Sequence, residues 1–235
     1  MNLADTVKSV LAPPHKAGYP FIVGGIAVAV LGLLLWHPLA WLGLIFTIFC
    51  LYFFRDPERV LPPRADVFVA PADGLVVSIE PALAPPELGL APTPRLRIAI
   101  FLSVLDVHVN RAPCAGLVSR IAYHPGKFLS AADDKASDEN ERNAILLRLT
   151  TGQDVAVVQI AGLIARRILC ELHEGQTVMA GERIGIIRFG SRTDLYLPEG
   201  SVPLVAVGQR MIGGETAVAT MAPVMPPVPP VIITE

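Results

Sequence analysis

The sequence is short of charged and aromatic side chains. Only 17% of its 235 residues are charged and 6% are aromatic, whereas 52% are hydrophobic, which is not the composition of an ordinary soluble domain. The formal net charge is −2, so the chain has no excess of basic residues from which a nucleic-acid-binding face could be built. The composition therefore predicts no nucleic-acid partner and indicates an apolar environment for part of the chain.

Cysteine is also scarce. The three cysteines, Cys50, Cys114 and Cys170, are odd in number and do not show the spacing of metal ligands. We therefore predict thiols in a reducing compartment, with neither a disulfide framework nor a metal site.

Charge is missing altogether from one long segment, because no Asp, Glu, Lys or Arg lies between Lys16 and Arg55. A helix that crosses a bilayer needs about 20 residues, so this segment is too long for one such helix and slightly short for two. His37-Pro38 interrupts it, and we predict a hairpin of two helices at residues 19–36 and 39–54. The sequence leaves open whether the hairpin spans the bilayer or only dips into it, and a buried hairpin of a soluble protein is the alternative.

Basic residues flank this hairpin on both sides, which places both of its ends on the cytoplasmic side of a membrane. These residues are Lys8, Lys16, Arg55, Arg59 and Arg64. A cleaved signal peptide is excluded because the apolar run is too long and ends in no small-residue cleavage site. We predict a cytoplasmic segment at residues 1–18, an anchor in the cell (inner) membrane at residues 19–54, and a catalytic domain on the cytoplasmic side.

From Ala65 onward the sequence changes to short apolar runs separated by turn residues. This pattern predicts a mainly β domain over residues 55–220, and the Pro-rich segment 221–235 predicts an extended, flexible tail. The predicted strands cover residues 67–70, 75–79, 96–102, 107–110, 117–123, 144–149 and 155–160.

A glycine-containing pattern occurs twice near the end of this domain. The first copy is Gly175-Gln176, Val178 and Gly181-Glu182, and the second is Gly208-Gln209, Met211 and Gly214-Glu215. Each copy has the form strand, turn, strand and is similar to the hairpins of biotinyl and lipoyl carrier domains. Two such hairpins predict a pseudo-symmetric β-sandwich, with Gly190-Ser191 in the connection between them.

The dipeptide Gly190-Ser191 is able to cleave itself when it is held in a strained turn. The serine hydroxyl attacks the glycine carbonyl to give an ester, and elimination then leaves an N-terminal pyruvoyl group, an electrophilic ketone. Such a cut needs a base and a group that orients the base. His108, between Val107 and Val109 in a predicted strand, and Asp73, in a predicted turn, are candidates. The same residues also fit a surface turn, a structural histidine and a turn aspartate.

Five short motifs follow one another along the domain. They are Ala70-Pro71-Ala72-Asp73-Gly74, Asp106-Val107-His108-Val109-Asn110-Arg111, Tyr123-His124-Pro125-Gly126-Lys127-Phe128, Asn140-Glu141-Arg142-Asn143 and Arg188-Phe189-Gly190-Ser191-Arg192. In this order they resemble the phosphatidylserine decarboxylase proenzyme family, in its short bacterial and archaeal branch. The resemblance covers nearly everything from Arg55 to about Val218, and the hydrophobic N-terminal anchor also fits it.

The resemblance implies a pyruvoyl-dependent decarboxylase that is made as a self-processing proenzyme. The cut would fall between Gly190 and Ser191 and give a membrane-bound β subunit, residues 1–190, and a small α subunit, residues 191–235. The pyruvoyl group formed from Ser191 would be the covalent cofactor, with no metal. The sequence leaves homo-oligomer formation open.

The resemblance further implies that the amine of phosphatidylserine, in the membrane, forms a Schiff base with the pyruvoyl ketone, which accepts electrons as pyridoxal phosphate would. Loss of CO2, return of a proton and hydrolysis then give phosphatidylethanolamine. Asp73 and His108 match the family positions that activate Ser191 for the cut, and His108 is our candidate for the proton donor. The candidates for binding the lipid phosphate or the serine carboxylate are Lys127, Arg142, Arg166, Arg167 and Arg188.

Three other functions are compatible with parts of the sequence. Lys135 lies in a segment superficially similar to a lipoyl attachment site, although the segment is polar and does not lie between two alternating strands. A non-enzymatic membrane adaptor with biotinyl-like hairpins would need no set of Asp73, His108 and Ser191. The third alternative is pyruvoyl chemistry on another amine, such as an amino acid or an archaeal-type lipid; the apolar hairpin favours a lipid substrate.

Overall fold

The computed structural model describes residues 12–126, 140–162, 167–188 and 191–221. The chain divides into two compact units, residues 1–58 and residues 59–235. The first is helical and the second is built from β-strands.

Two apolar helices make up the first unit, α1 (Tyr19–Leu35) and α2 (His37–Phe53). The chain turns between them at Trp36, which has an extended backbone with φ −164° and ψ 111°. Each helix carries a proline in its first turn, where the missing N–H has no partner to lose. The predicted hairpin is therefore confirmed, with helix ends that differ from the prediction by one or two residues.

Glycines allow the two helices to approach closely. A Cβ on Gly32 would lie 2.1 Å from the backbone nitrogen of Ala40, and a Cβ on Gly43 would lie 2.4 Å from that of Ala29. The large apolar side chains point outward instead, and Leu34 for example is 78% exposed. The helical segment Lys16–Leu35 is long and apolar enough to cross a membrane, which weakly indicates membrane association.

The described residues of the second unit form fourteen strands, β1 to β14. Their bounds are Val67–Val69, Gly74–Ala82, Arg95–Leu102, Val109–Arg111, Gly116–His124, Arg142–Arg148, Asp154–Ala161, Ile168–Cys170, Thr177–Val178, Arg183–Ile187, Ser191–Tyr196, Val202–Pro203, Arg210–Met211 and Ala217–Thr220. All seven predicted strands are present, with shifted ends.

Eight strands form one antiparallel sheet in the order β13-β2-β3-β11-β7-β6-β5-β9, and two three-stranded sheets, β1-β14-β12 and β4-β10-β8, complete the unit. Strand β11 therefore lies near the middle of the large sheet. One face of that sheet carries the main core, to which Ile98, Ile145, Val157 and Leu195 contribute in register. The predicted mainly β fold with an N-terminal helical hairpin is confirmed.

The β unit contains an internal repeat that is longer than the sequence pattern indicated. Residues 70–76 read Ala-Pro-Ala-Asp-Gly-Leu-Val, and residues 112–118 read Ala-Pro-Cys-Ala-Gly-Leu-Val. The first tract pairs with the turn around residues 208–215 and the second with the turn around residues 175–182. We call these two assemblies the Asp73 half and the Ala115 half.

The two halves share the same backbone hydrogen bonds. In each half, the N–H of the first glycine of the turn donates to the carbonyl of the valine at the end of the tract. The N–H of the last glycine of the turn donates to the carbonyl of the alanine at the start of the tract. These 2.8 Å bonds are Gly208 N to Val76 O, Gly175 N to Val118 O, Gly214 N to Ala70 O and Gly181 N to Ala112 O. The four glycines have φ between 74° and 87°, a conformation that favours glycine. The predicted pseudo-symmetry of the two hairpins thus agrees with the backbone contacts.

Candidate active site

Ser191 is the first residue of β11, and its pairing places it between two neighbouring strands. It lies opposite Leu102 of β3 and Ala161 of β7. The residue is completely buried, and its Oγ has no hydrogen-bond partner among the described residues. A buried hydroxyl without a partner costs about 1–3 kcal/mol, so such an atom at the end of a central strand is a candidate for chemistry.

His108 lies just before β4, where its backbone carbonyl accepts a hydrogen bond from the N–H of Ile187 at 3.3 Å. Ile187 ends β10, and a short connection leads from it to Ser191, so His108 borders the segment that contains the predicted cut. The predicted strand 107–110 begins only at Val109. His108 is completely buried, and Val107 and Val109 are almost completely buried.

A backbone carbonyl fixes the orientation of the His108 ring. Nδ1 lies 2.9 Å from the carbonyl oxygen of Asp106. Because that oxygen can only accept, Nδ1 must carry the proton in this contact, and the lone pair of the neutral ring is then on Nε2. His108 is thus set up to take a proton through Nε2.

Asp73 lies in the turn before β2 and is surrounded by donors. Arg59 Nη2 donates to both carboxylate oxygens, at 2.8 and 2.9 Å, and the Gly213 N–H donates to Oδ1 at 2.8 Å. Burial nevertheless raises the pKa of Asp73 above its usual value, and the negative charge of Asp106 acts in the same direction, while Arg59 and the Gly213 N–H oppose the shift.

Asp106 itself organises the loop that presents His108. Its Oδ2 accepts from the N–H of Ser103 at 2.8 Å and from the Ser103 hydroxyl at 2.7 Å, and its Oδ1 accepts from Arg210. The sequence analysis did not single out Asp106 or Arg210 as site residues. The Ser-x-x-Asp spacing of Ser103 and Asp106 could have indicated a side-chain-capped turn, whereas nothing in the sequence pointed to Arg210.

A buried polar row continues from Ser191 across the sheet. Gln159 Nε2 donates to Asn110 Oδ1 at 2.8 Å, and Asn143 Nδ2 donates to Gln159 Oε1 at 3.0 Å. Thr193 lies opposite Gln159 in register. Among the described residues, Asn110 Nδ2 and Thr193 Oγ1 have no partner. The sequence analysis missed this row, although Gln159 is a polar residue inside an otherwise apolar strand.

Two of the predicted substrate-binding cations lie together. The N–H of Arg188 donates to the carbonyl of Arg167 at 3.3 Å, directly after β10 and directly before β8. Burial and, to a smaller extent, the positive charge of Arg167 lower the pKa of Arg188. Two neighbouring cations beside the connection to Ser191 form a suitable place for an anion.

Comparison with known proteins identifies the family. The sequence profile described as phosphatidylserine decarboxylase matches residues 46–219. The chain belongs to the phosphatidylserine decarboxylase family. It is 65% identical over 223 residues to the phosphatidylserine decarboxylase proenzyme of Granulibacter bethesdensis, covering 95% of this chain and 91% of that protein.

Two further relatives bear the same name. The phosphatidylserine decarboxylase proenzyme of Gluconacetobacter diazotrophicus is 59% identical over 225 residues, covering 94% of this chain and 100% of that protein. That of Cereibacter sphaeroides is 53% identical over 217 residues, covering 92% of this chain and 94% of that protein. The family resemblance predicted from the five motifs is therefore confirmed, and the chain is an enzyme of this type.

Not all of the predicted substrate-binding residues gather near Ser191. Arg142 of β6 donates through Nε to Glu87 Oε1 at 2.7 Å. Its register partner Ile160 is also the partner of Arg192, so Arg142 shares the sheet face of Arg192 and not that of Ser191. A direct role of Arg142 in phosphatidylserine decarboxylase chemistry stays a prediction. The predicted residues Lys127, Arg166 and Gly190, like Lys135, lie outside the described residues.

The residues around Ser191 fit the pyruvoyl group that the phosphatidylserine decarboxylase family implies. The group would be made from Ser191 itself, whose buried Oγ has no partner in the described parts of the chain, on the sheet face that also carries Thr193 and Gln159, the latter bonded to Asn110. Within the described parts of the chain, no three His, Cys, Asp or Glu side chains lie close enough together to hold a metal ion.

Proposed function

We propose that the chain cuts itself between Gly190 and Ser191, carries the resulting pyruvoyl group, and decarboxylates phosphatidylserine to phosphatidylethanolamine and CO2. The observation that carries this proposal is the buried Ser191 Oγ, which has no partner among the described residues and directly follows Gly190 in sequence. Membership of the phosphatidylserine decarboxylase family and the proenzyme names of the relatives support it.

The cut uses groups of this chain only, apart from water. Ser191 Oγ forms a bond to the carbonyl carbon of Gly190, the amide C–N bond breaks, and an ester results. His108 Nε2 accepts the hydroxyl proton, with its ring held through Nδ1 by the Asp106 carbonyl. Elimination then removes the α proton of residue 191 to a base and breaks its Cβ–Oγ bond, which leaves a carboxylate on Gly190 and an unsaturated amine at residue 191. Water replaces the nitrogen, which departs as ammonia, and the pyruvoyl group remains.

In the mature protein the pyruvoyl ketone supplies an electron sink for decarboxylation. The chain's own residues bind the headgroup and manage the proton. Arg167 and Arg188 bind mainly the lipid phosphate, because a cation that held the carboxylate firmly would oppose its loss. His108 returns the proton to the α carbon, whereas Asp73 acts earlier, in the activation of Ser191 for the cut.

The apolar helices hold the protein at the lipid substrate. The uncharged surface of α1 and α2 and the basic residues on both sides of them favour an anchor in the inner membrane with both ends cytoplasmic. The β unit then works on phosphatidylserine from the cytoplasmic side. Residues 1–190 and residues 191–235 stay together as the two subunits of the mature enzyme.

Intact mass spectrometry of the purified protein tests the cut. We expect two species, residues 1–190 and residues 191–235, the smaller one with a blocked N-terminus that shifts in mass with hydroxylamine. Ser191→Ala should leave one uncut chain. The chain offers a matched control in its other Gly-Ser dipeptide, Gly200-Ser201, which lies in a turn where Gly200 has φ 84°.

Ser201→Ala should be cut like the parent. A cut Ser191→Ala protein, or a parent that stays whole and keeps Ser191 intact, would contradict the proposal. The substrate is tested separately with phosphatidylserine vesicles and with free serine, each offered to the cut protein. Release of CO2 from the vesicles alone is expected, and release from serine alone would point to a soluble amine as the substrate.

A further inference from the structure

An arginine from the segment that leads into the β unit holds Asp73. Arg59 Nη2 contacts both carboxylate oxygens at 2.8 and 2.9 Å, and the two side chains are only 11% and 16% exposed. The Arg59 stem lies beside the turn at Gly214, where an added Cβ would be 3.4 Å from the Arg59 Cβ. The contact is therefore a partly buried, two-oxygen ion pair on a well-packed stem.

The Ala115 half of the repeat forms the same turn without this pair. Asp73 corresponds to Ala115 and Gly213 corresponds to Ala180, although the backbone hydrogen bonds of the two halves agree. A Cβ on Gly213 would lie 3.1 Å from Asp73 Oδ1, so glycine is what lets the backbone N–H reach the carboxylate there. Because Ala115 has no such group, the tract and its turn do not need an acid in order to fold.

The segment around residue 60 contacts both halves, with a different side chain on each. Leu61 lies beside Gly181, where an added Cβ would be 2.8 Å from its Cδ2, just as Arg59 lies beside Gly214 in the other half. Arg111 contacts both turns, since its Nη1 donates to the Gly181 carbonyl at 2.9 Å and its Cδ would lie 3.1 Å from a Cβ on Gly214. The side chain that differs is therefore Leu61 on one turn and Arg59 on the other. A buried arginine on the other costs desolvation, and its Nε has no partner among the described residues. Packing alone therefore does not explain why an arginine, Arg59, lies beside the turn of the Asp73 half.

We propose that Arg59 is a positioning residue for the self-cleavage at Ser191: it holds Asp73 in its charged form and in a fixed orientation near the loop that carries His108. This inference rests on the proposed cut.

The N–H of Arg111, three residues after His108, donates at 2.8 Å to the carbonyl of Pro71, two residues before Asp73. The negative charge of Asp106, whose backbone carbonyl holds the His108 ring, also acts on Asp73. Without a cation, burial and that negative charge would both favour a neutral Asp73, which no longer supports a histidine that must accept a proton.

The contact also joins the two products of the cut. Arg59 and Asp73 belong to residues 1–190, whereas Gly213 belongs to residues 191–235. The 2.8 Å hydrogen bond from the Gly213 N–H to Asp73 therefore links the two subunits beside the site after the peptide bond is gone. Arg59 keeps the carboxylate in place for this bond as well.

The test measures the rate of self-cleavage in freshly made full-length chains. Parent, Arg59→Ala, Arg59→Lys, Ser191→Ala and Arg64→Ala proteins are translated in a short pulse without cells, with phospholipid vesicles present, and the cut is followed by mass from mildly acidic to mildly basic pH. Arg64 is the matched control, because it also binds an aspartate through two bonds, Asp66 at 2.7 and 3.0 Å, but in an exposed position.

We expect Arg59→Ala to slow the cut on the order of 10²-fold near neutral pH, the effect of a misplaced group at a reacting centre. Its rate should recover towards high pH, because loss of the cation raises the pKa of Asp73 and moves the acid limb of the profile upward. Arg59→Lys should restore part of the rate, and Arg64→Ala should match the parent.

Parent-like cleavage of Arg59→Ala at every pH would overturn the inference. So would a slowed Arg59→Ala whose acid limb has not moved and which lysine does not rescue, because that result describes a folding defect. If Arg59→Ala does not fold, the rate and acid limb of Arg59→Lys decide in the same way. Cleavage of the Ser191→Ala chain would instead overturn the proposed function.

Discussion

The two faces of strand β11 differ in how their buried polar groups are satisfied. On one face, Ser191 and Thr193 are completely buried and their hydroxyls have no partner among the described residues. On the other face, Arg192 and Asp194 are also completely buried, but they form a two-bond ion pair at 2.6 and 3.2 Å. In the part of the chain that the structure describes, the neutral groups on one side of the strand are thus unpaired, whereas the charges on the other side are paired.

The charged face extends to neighbouring strands. Arg97 lies 3.8 Å from Asp194 and also bonds Glu80. Burial, followed by the charge of Asp194, raises the pKa of Tyr196 to about 12, so this phenol stays neutral in any ordinary buffer. Buried ions are tolerated when each has a partner, and such a cluster fixes one side of the strand rigidly.

This difference separates structure from chemistry within a single strand. An unpaired hydroxyl is destabilising and remains available to react, whereas a paired ion stabilises the strand only as long as both members are present. The Arg192 face thus holds the strand in place, and under the proposed function the Ser191 face carries the reacting group. Substitutions on the Ser191 face should therefore change cleavage without a loss of stability, whereas substitutions on the Arg192 face should mainly lower stability.

The largest expected effect is the loss of cleavage in Ser191→Ala without a loss of stability. The Ser191 hydroxyl has no partner among the described residues, so its removal breaks no hydrogen bond to them, and we expect the free energy of unfolding to equal or exceed that of a chain kept uncut by other means. Chemical denaturation of Ser191→Ala beside an uncut His108 variant measures this. Strong destabilisation of Ser191→Ala would show that the hydroxyl has a structural partner.

His108→Gln should come next. General-base assistance is worth about 10²–10⁴-fold, and the glutamine amide can keep a bond to the Asp106 carbonyl while offering no basic nitrogen. The half-time of the cut, measured by mass in freshly translated chains, should lengthen by about that factor. His173→Gln serves as the control, because His173 lies just before the turn of the Ala115 half, where its carbonyl accepts from the Gln176 N–H at 3.3 Å. Equal rates for parent and His108→Gln would remove His108 from the processing step.

On the charged face, Asp194→Asn should cost stability first. It leaves Arg192 buried and without its carboxylate, a change that typically costs about 3–5 kcal/mol. The control is Asp154→Asn, whose partner Arg148 is 54% exposed, so that the loss should stay within about 1 kcal/mol. The melting temperature and the denaturant midpoint measure the stability of both variants. Equal small losses would mean that Arg192 finds another partner.

The strands with regular apolar runs could be predicted from the sequence, whereas β11 could not. Residues 96–102 and 155–160, for example, are almost uniformly apolar and are bounded by turn residues, so β3 and β7 were predictable. Strand β11 contains Arg192 and Asp194, which suggest an exposed segment. Their charges cancel only through contact with each other inside the sheet, a fact that a pattern of apolar residues does not reveal.

Local motifs also indicated only part of the site. Ser191, His108 and Asp73 stood out because each lies in a short motif, but the groups that hold two of them come from elsewhere in the chain. Arg59 binds Asp73, and Arg210 binds Asp106, which orients His108. The first contact spans 14 residues, and the second spans 104 and depends on the pairing of β13 with β2, so one sequence alone does not predict them.

The smallest effect concerns the second hydroxyl on the reactive face. Thr193→Val keeps the shape of the side chain and removes an unpartnered buried hydroxyl, so it should raise the free energy of unfolding by about 1 kcal/mol. Thr220→Val is the matched control, because the Thr220 hydroxyl is also buried and unpartnered among the described residues but lies on β14, in another sheet. Both variants should gain stability, and only Thr193→Val, beside Gln159 and Ser191, should alter the cleavage rate. Destabilisation by Thr193→Val alone would mean that this hydroxyl is bonded in the protein, and the contrast between the two faces would then be confined to Ser191.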